Sequence, residues 1–552
     1  MAVENLITEH IDIWTSAVKT KSSSGRGNSK KLELYGVKKL RELILELAVR
    51  GKLVPQDPND EPASVLLERI AQEKAQLVKE KKLKKPKKLP NISDEEKPFD
   101  LPNGWSWIRL NEYGEWGSGS TPKRSNSGYY DGGIPWFKSG ELKADYISES
   151  EETITELALS ETSVRYNNVG DVLVAMYGAT IGKTAILSVR ATTNQAVCAC
   201  TPFTGLSNTY LLTLLKAYKA RLIGMGAGGA QPNISREKII NTVIALPSTA
   251  EQHRIVAKVD ELMALCDQLE QQTEASIEAH QVLVTTLLDT LTNSADADEL
   301  MQNWARISEH FDTLFTTEES IDQLKQTILQ LAVMGKLVPQ DPSDEPASEL
   351  LKRIAEDGDS PKKVRLTKPI SESEEPLTLP TGWVFTRLES IIQISSGKNL
   401  TAKKMDSNGT IPVYGGNGVT GYHSENNVSE PTIVIGRVGF YCGSVHLTPK
   451  KAWVTDNAFV TKFSHSNLNL EFLFWLLKAT NLNENDSATA QPVISGRKVY
   501  PIVVGLPPLN EQARIVAKLN ELMAMCDFLK QSFSEHTSNQ LLLTNTIVEQ
   551  AV

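Results

Sequence analysis

The chain consists of two copies of one sequence unit, and this internal repeat constrains its fold more than any other feature. Residues 43–71 return as residues 327–355, with 23 identities in 29 positions. Residues 230–272 return as residues 490–532, with 24 identities in 43 positions. The two copies meet near residue 292, so we expect a pseudo-two-fold arrangement of one repeated unit.

The ends of each copy match closely, whereas the middles differ in length and sequence. The offset between matched residues falls from 300 at the start to 260 near the end, so the first copy carries extra residues. One insert is the Gly/Ser-rich segment 22–31, which is typical of a flexible linker. The middles are rich in Gly, Asn, Thr and Tyr, with short strand-like runs at 171–178 and 430–439. Helices are predicted at 211–223 and 470–477. Each middle is therefore expected to form one mixed α/β globule.

The matched ends have the periodicity of amphipathic helices. For one such helix, ordinary bundle packing is the simplest interpretation, but two matched seams favour long helices that pair as an antiparallel coiled coil. Ser248 with Glu251 predicts a capping box for the first long helix, and Asn510 predicts a cap for the second. The seam residues expected to form this spacer and to dock partners are Leu40, Ile44, Leu47, Ile255, Val259, Leu262, Leu269, Leu324, Ile328, Leu331, Ile515, Leu519, Leu522 and Leu529.

These patterns predict an α+β protein with two mixed α/β globules joined by long helices. An N-terminal helical and linker region, 1–100, precedes the first globule, 101–247. A central helical region and linker, 248–378, leads to the second globule, 379–507. The C-terminal helix then covers 508–552.

Composition excludes several classes of protein. Hydrophobic residues at 40% and charged residues at 23% are ordinary globular values, which argues against wholesale disorder. No apolar run reaches the roughly 18 to 20 residues of a membrane-spanning helix, and the N-terminus does not resemble a secretory signal. Five cysteines form an odd, sparse set that suits a reducing cytosol. We therefore expect a soluble, cytoplasmic protein.

The net charge of −9 argues against a polycation that binds nucleic acid over its whole surface. The acidity is uneven, however, because residues 101–247 carry a net charge of +1 and residues 379–507 carry +3. The helices and linkers therefore hold −13. A basic run at 79–88 and a second basic segment at 361–368 are expected to be solvated tethers, although they could also add phosphate contacts.

One segment, GATIGKT (178–184), resembles a phosphate-binding loop but has three residues between its glycines where the Walker pattern needs four. In the aligned segment of the second copy, 439–445, the glycines recur and the Lys-Thr pair becomes Ser-Val. A tight turn between strands is the better interpretation. The sequence shows no zinc-ligand spacing, nucleophile elbow or Asn-Pro-Pro-aromatic motif. We therefore expect no catalytic residue and no metal site in this chain.

Three motifs in combination resemble the specificity subunit of Type I restriction–modification enzymes, and the resemblance covers nearly the whole chain. Residues 117–142 resemble the start of a target recognition domain of that family. The run AQP-x-IS followed by LP-x-x-x-EQ-x-RIVAK-x-x-ELM, present twice, resembles the transition into its conserved helix. LAV-x-GKLVPQDP resembles the central conserved region of enterobacterial-type members. Residues 379–507 depart most, since SSGKNLTAKK replaces the STPKR-type segment and IPVYGG replaces IPWFKSG.

The resemblance implies two target recognition domains, each reading one half of a split, asymmetric DNA sequence. It also implies conserved helices that hold the domains apart and dock two modification (methyltransferase) subunits. Those partners would use S-adenosylmethionine to methylate adenine, and restriction subunits would use ATP and Mg²⁺ to translocate and cut DNA. The chain itself would bind no cofactor and would not be an enzyme.

Candidate DNA-contacting residues are Arg, Lys, Asn, Gln and Tyr in the variable stretches, because these types read base edges and phosphates. Gln231 and Gln491 recur in both copies and are expected to serve a turn or the scaffold and not sequence discrimination. Two other interpretations remain open, namely a coiled-coil scaffold without DNA contact and a nucleotide-hydrolysing enzyme that rests on GATIGKT alone. The candidates are Lys123, Arg124, Lys138, Tyr177, Lys183, Asn194 and Gln195 in the first globule, and Lys398, Lys403, Lys404, Tyr414, Asn417, Arg437 and Asn457 in the second.

Overall fold

The described part of the chain divides into two compact units. The structure, a computed structural model, describes residues 3–21, 31–81, 89–226, 232–295, 297–357, 369–375, 378–406, 408–439, 441–482 and 493–552. Unit 1 comprises Met1–Ala275 and Thr537–Val552, and unit 2 comprises Ser276–His536. Most of the 79–88 run, all of 361–368, Gln231 and Gln491 lie outside the described residues.

Unit 1 contains a helical region and a mixed globule. Its elements in chain order are α1 Val3–Glu9, α2 Ile11–Ser16, β1 Lys19–Lys21, β2 Lys31–Glu33, α3 Tyr35–Val49, α4 Ala63–Lys79, β3 Ser106–Arg109, β4 Gly114–Ser118, β5 Tyr130–Phe137, β6 Tyr146–Ile147, β7 Thr153–Ile154, α5 Glu156–Glu161, β8 Val172–Ala175, β9 Thr184–Leu187, β10 Thr192–Thr193, β11 Val197–Pro202, α6 Asn208–Ala217, α7 Lys219–Gly226, α8 Arg236–Ile240, β12 Val243–Leu246 and the start of α9 Thr249–Thr292.

Unit 2 repeats this order with fewer strands. Its elements after α9 are α10 Ala297–Glu309, α11 Phe311–Leu314, α12 Glu318–Val333, α13 Ala347–Glu356, β13 Val384–Arg387, α14 Leu388–Ile391, β14 Gln393–Ser396, β15 Ile411–Gly415, β16 Gly418–His423, β17 Ile433–Gly436, β18 Val445–Leu447, β19 Trp453–Val454, β20 Ala458–Lys462, α15 Leu470–Ala479, α16 Gly496–Val499, β21 Val503–Leu506 and α17 Leu509–Ala551.

The globule of unit 1 is built on three sheets. A five-stranded sheet has the order β4-β11-β8-β9-β6, a three-stranded sheet has the order β10-β5-β7, and β3 pairs with β12. All four residues of β8 are buried, because α6 packs against β8 and β9 on one face while a second apolar cluster covers the other. The strand-like run predicted at 171–178 is therefore a central strand.

The globule of unit 2 has the same arrangement around β17, whose four residues are also buried. Its main sheet has the order β14-β20-β17-β18, a second sheet has the order β16-β15-β19, and β13 pairs with β21. The equivalents of β6 and β7 are missing from the sheets of the described residues, where β16 instead pairs with β15. The extra residues of the first globule thus lie at the margins of its sheets.

Each unit contains a part of both long helices, since α9 begins in unit 1 and ends in unit 2 while α17 runs the other way. In unit 1, Arg41 of α3 forms ion pairs with Asp267 and Glu270 of α9. Tyr35 Oη at the start of α3 donates to Asn545 Oδ1 of α17 at 2.8 Å. Helix α3 therefore joins segments of both long helices within one unit.

Helix α12 takes the same place in unit 2. Gln281 Nε2 of α9 donates to Glu319 Oε2 at 2.9 Å, and Lys530 of α17 pairs with Asp322 at 3.1 Å. The seam residues of α12, the end of α9 and the first half of α17 belong to one apolar cluster. The opposite passage of the two helices through the units matches the expected antiparallel arrangement, and the predicted class of two mixed globules with long helices is confirmed.

The predicted helix starts were partly correct. Ser248 Oγ accepts from the Glu251 amide at 3.0 Å, as a capping residue should. The Glu251 side chain does not complete the box, because it accepts from Gln56 and Trp105 instead. The prediction for Asn510 was wrong, since α17 begins at Leu509 and the Asn510 side-chain amide donates to Asp344, in the loop between α12 and α13.

A buried carboxylate at the start of each long helix fastens that helix to its own globule. In joint 1 (Gln56, Trp105, Glu251), Trp105 Nε1 donates to Glu251 Oε2 at 2.9 Å and Gln56 Nε2 donates to Oε1 at 3.1 Å. In joint 2 (Gln340, Trp383, Glu511), both donors bond Glu511 Oε1, at 3.2 and 3.0 Å.

Burial raises the pKa of both carboxyls of the joints. The next residues, Gln252 and Gln512, are fully buried, and their side-chain oxygens accept hydrogen bonds from backbone amides of their globules.

Among the described residues, no helix is long and apolar enough to cross a membrane.

Candidate nucleic-acid interface

Three backbone hydrogen bonds fix the loops at one margin of the first globule. The Ser120 amide donates to Thr193 O at 3.0 Å, and the Asn194 amide donates to Phe137 O at 3.0 Å. The Met176 amide donates to Ala196 O at 2.8 Å. These bonds join the loops that follow β4, β8 and β10 to the end of β5, and we call the set the loop frame.

The second globule has the same loop frame. The Lys398 amide donates to Val454 O at 2.9 Å, and the Thr455 amide donates to Tyr414 O at 2.9 Å. The Arg437 amide donates to Asn457 O at 2.9 Å. Each of these bonds has its counterpart in the first globule. The two globules therefore share the same backbone hydrogen bonds although their sequences differ.

One glycine is required in each loop frame. A Cβ atom on Gly119 would overlap the backbone carbonyl of Thr193, and a Cβ atom on Gly397 would overlap those of Val454 and Thr455. Close approach of two backbones is the physical reason for glycine at these positions. The frame is therefore preserved by backbone geometry, whereas the side chains around it are free to change.

The side chains that the two frames carry are different. Position by position, Ser120 is replaced by Lys398, Met176 by Arg437, Asn194 by Thr455 and Phe137 by Tyr414. Hydrogen-bonding capacity thus changes at all four positions and charge changes at the first two, while the backbone bonds stay the same. This is the arrangement that two readers of different base sequences require.

In the first globule the predicted residues occupy the loops around this frame. Lys123 and Arg124 lie between β4 and β5, and Lys138 follows β5. Asn194 and Gln195 lie between β10 and β11; Asn194 Oδ1 accepts from the Ala196 amide, and Gln195 Oε1 accepts from Thr121 Oγ1. Gln195 is exposed and is thereby brought beside the β4–β5 loop.

Arg124 and Lys138 meet on one carboxylate. Arg124 Nη1 and Nη2 donate to Glu152, and Lys138 Nζ donates to Glu152 Oε1 at 2.8 Å. The guanidinium also lies over the rings of Tyr130 and Trp136, at 4.8 and 5.0 Å from their centroids. Arg124, and after it Lys138, lowers the pKa of the Glu152 carboxyl to about 2.

Tyr177 and Lys183 belong to the turn between β8 and β9. Tyr177 is 40% exposed and its carbonyl accepts from Thr180 Oγ1, whereas Lys183 is half-buried. Gly178 and Gly182 have φ values of +60° and +77°, and β8 and β9 are antiparallel. The interpretation of GATIGKT as a tight turn between strands is confirmed. This segment was the one sequence pattern that suggested a nucleotide site.

In the second globule the predicted residues divide into two groups. Lys398, Arg437 and Asn457 belong to the loop frame, with Lys398 and Asn457 exposed. The Arg437 guanidinium lies 5.4 Å from the centroid of the Phe459 ring, and its buried Nε has no acceptor among the described residues. Lys403, Lys404 and Asn417 are exposed on turns outside the frame, with Asn417 in the two-residue connection between β15 and β16.

Tyr414 differs from the other candidates because its side chain is inside the globule. It is 8% exposed, and its hydroxyl donates to Leu447 O at 3.2 Å. Burial raises the pKa of this hydroxyl. Its position in the strand between β16 and β19 turns the ring to the interior, away from the surface that a duplex would reach.

Glu152, Tyr130 and Trp136 were not among the contact residues predicted from the sequence. A carboxylate is not an expected contact for a phosphate backbone, and the pair of Arg124 with Glu152 spans 28 residues along the chain. The aromatic pair could have been found from its proximity to STPKR in the sequence. Among the described residues, no group of three His, Cys, Asp or Glu side chains is placed to hold a metal ion.

Comparison with known proteins agrees with the fold and with the presence of two similar regions in the chain. The family described as Type I restriction modification DNA specificity domain matches residues 102–279 and 380–535. The chain is 41% identical to the Type I restriction enzyme EcoAI specificity subunit of Escherichia coli, over the full length of both proteins. It is 38% identical to the EcoEI specificity subunit of the same species, again over the full length of both.

A solved chain from a study of complex assembly in the type I R-M system has a TM-score of 0.50 to this structure. The two chains are 18% identical in sequence. The match covers 82% of the present protein and 99% of the solved chain, which supports the fold. The relatives are named specificity subunits, and the family is one of DNA recognition and not of catalysis. The chain therefore belongs to the family of Type I restriction–modification specificity subunits, with two DNA-specificity regions for a bipartite target.

Proposed function

We propose that residues 101–247 and 379–507 act as the two recognition domains and read two different half-sites of one duplex. The observation that carries this proposal is the pair of matched loop frames with different side chains. The same backbone bonds hold Ser120 and Lys398, or Met176 and Arg437, at equivalent places. Equivalent placement gives both domains one way of approaching DNA, and different side chains give each its own base preference.

The charge distribution supports contact through the globules. They carry +1 and +3, whereas the remainder of the chain carries −13. Arginine and lysine recognise guanine, and asparagine and glutamine recognise adenine, through paired hydrogen bonds in the major groove. The proposed contacts are Lys123, Arg124, Lys138, Tyr177, Lys183, Asn194 and Gln195 in the first domain, and Lys398, Lys403, Lys404, Asn417, Arg437 and Asn457 in the second.

The long helices are proposed to set the distance between half-sites and to dock two modification subunits. Two neighbouring apolar side chains are exposed near the end of each long helix. On α9, Val282 is 62% and Leu283 is 50% exposed, and on α17, Leu542 is 65% and Leu543 is 46% exposed. Matched apolar pairs on repeated helices suit two copies of one partner.

In this proposal the chain recognises the DNA sequence and its partner subunits carry out the catalysis. The modification subunits would hold S-adenosylmethionine and methylate adenine, and restriction subunits would bring ATP-dependent translocation and Mg²⁺-dependent cleavage. The large net negative charge of the helices suits cationic partner surfaces that complete the grip on DNA. Because chromosomal DNA is the target, the assembly would work in the cytoplasm.

The test is to map methylated adenines in the DNA of a host that expresses the chain with its modification subunit. We expect one motif with two specific parts separated by a gap of unspecified bases. Arg124→Ala should relax one part by about 1–3 kcal/mol if Arg124 reads a guanine, and Arg437→Ala should relax the other. A variant that weakens modification equally on all sequences would instead indicate a phosphate contact.

A coiled-coil scaffold without DNA contact makes the opposite prediction. Such a protein would leave no footprint on the mapped motif when it is bound to the modification subunits. Two protected patches, each lost with the substitution in one domain, would exclude this alternative.

A further inference from the structure

One carboxylate in the first recognition domain, Glu152, pairs with Arg124 and Lys138, two of the cations proposed to contact DNA; Lys138 Nζ also lies 3.4 Å from Glu151. We call the set of Arg124, Lys138 and Glu152 the Glu152 triad. The Arg124 side chain is 54% exposed, Glu152 is 32% exposed and Lys138 is 29% exposed. The triad therefore lies at the surface, where an approaching duplex can reach it.

Two aromatic rings hold the Arg124 guanidinium of the triad in place. Tyr130 and Trp136 contact the Arg124 guanidinium through their ring faces, and Tyr130 Oη donates to Pro122 O at 2.6 Å. Trp136 Nε1 donates to Ser120 O, which belongs to the loop frame, at 3.1 Å. Arg124 thus keeps its position through the aromatic rings even when its carboxylate partner is exchanged.

We propose that Glu152 determines specificity by occupying Arg124 and Lys138 on DNA that lacks the first half-site and releasing them to the correct bases. This inference deepens the proposed function and rests on it. The carboxylate stays ionised at physiological pH, because its two cations hold its pKa at about 2.

The relative strengths of the competing interactions give this exchange its direction. Ion pairs at the surface are weak and screened by salt, so a bidentate contact to a guanine can displace the carboxylate. Such a contact discriminates between bases by roughly 5- to 150-fold. At a wrong sequence, Arg124 and Lys138 could only exchange one anion, the Glu152 carboxylate, for another, a DNA phosphate. The carboxylate is already in position, so this exchange gains little. Non-specific binding is therefore reduced more than specific binding.

The experiment compares Glu152→Gln with Glu149→Gln in the full chain bound to its modification subunits. Both variants lose one negative charge, but Glu149 is exposed and has no ion-pair partner among the described residues. Affinity is measured for two duplexes, one with the mapped motif and one with its first part scrambled, over a series of salt concentrations. Equal melting temperatures of the complexes verify that the variants are folded.

We expect Glu152→Gln to bind the scrambled duplex about tenfold more tightly than the parent. Its salt dependence on that duplex should steepen by about 1 in slope, because the freed Arg124 adds about 0.9 whereas Lys138 keeps Glu151 as a partner. Binding to the intact motif should change less than about threefold, so the specificity ratio falls. Glu149→Gln should leave the salt slope unchanged.

Three results would overturn the inference. If Glu152→Gln weakens binding to the intact motif as Arg124→Ala does, the carboxylate only positions Arg124. If both Gln variants tighten binding to both duplexes equally, the effect is one of net charge alone. If Arg124→Ala with Lys138→Ala alters neither duplex, the proposed contact of this domain with DNA fails first, and the inference with it.

Discussion

Glu511→Ala should loosen the second globule at the point where it joins its long helix. In joint 2 the carboxylate accepts from Trp383 Nε1 at 3.0 Å and from Gln340 Nε2 at 3.2 Å. Trp383 is only 9% exposed, so its indole N–H would lose its acceptor without gaining full access to water. Gln340 also donates to Gly335 O and faces solvent, so its loss is small.

The magnitude follows from the indole group. A buried donor left without an acceptor costs about 1–3 kcal/mol. Removal of a partly buried charge returns some of this, since burial raises the pKa of Glu511 and so disfavours its ionised form. Glu511→Gln keeps an acceptor oxygen and removes the charge, so it should stay within about 1 kcal/mol of the parent.

Hydrogen exchange of the β13 amides measures this effect locally, which suits a chain of two units that need not unfold together. Glu511→Ala should accelerate their exchange about 5- to 150-fold, and Glu511→Gln should change it by less than about fivefold in either direction. Glu251→Ala provides the matched control, because it should accelerate exchange in β3 through joint 1 and spare β13. Equal acceleration by the Ala and Gln variants at Glu511 would refute the hydrogen-bond argument.

Three further results are expected. In the folded protein, the pKa of Glu511 lies above its ordinary value of 4.5. Protonation of Glu511 therefore stabilises the folded state fully below about pH 4.5, and this stabilisation is lost as pH rises through the pKa of the folded protein. The melting temperature of Glu511→Gln should therefore exceed that of the parent by more at about pH 7 than at about pH 4.5, and a constant difference would contradict this. Gly335→Ala should destabilise unit 2 by more than Gly439→Ala in calorimetry. Both glycines have positive φ, but only the Cβ at position 335 would overlap another group, the Pro380 ring, at 2.5 Å; equal losses would leave φ alone as the cause. Leu283→Asp and Leu543→Asp should each reduce the bound modification subunits from two to one in native mass spectrometry, and full occupancy in both would disprove the docking site.

Local periodicity predicted the helical part of the fold well. The seam residues Ile255, Leu262 and Cys266 are buried on α9, as their spacing required. The second long helix shows the same pattern at Ile515 and Leu519. The helix predicted at 211–223 is instead two helices, α6 and α7, that meet at Tyr218, because the Tyr218 backbone leaves the helical conformation there. A period of 3.6 residues records which face is buried but does not record such a break.

The candidate site was harder to predict, because its contacts are non-local. The sequence indicated that variable loops carry the contacts, but neither loop frame can be derived without knowing which strands pair. The burial of Tyr414 depends on the pairing of β15 with β16 and β19. Likewise, Glu152 acquires its role only when β7 places the preceding loop beside Arg124. Non-local pairing of this kind leaves no period in the sequence.

The bond between Tyr35 and Asn545 has a consequence for the order in which the protein becomes structured during translation. The two residues are 510 positions apart, and the last part of α17 belongs to unit 1. Unit 1 therefore cannot be completed until nearly all of the chain has left the ribosome, although its globule was made first. Unit 2, whose residues are contiguous, can be completed earlier. In the nascent first copy, Tyr35 at the start of α3 therefore waits for its partner on α17 until the second copy has been synthesised.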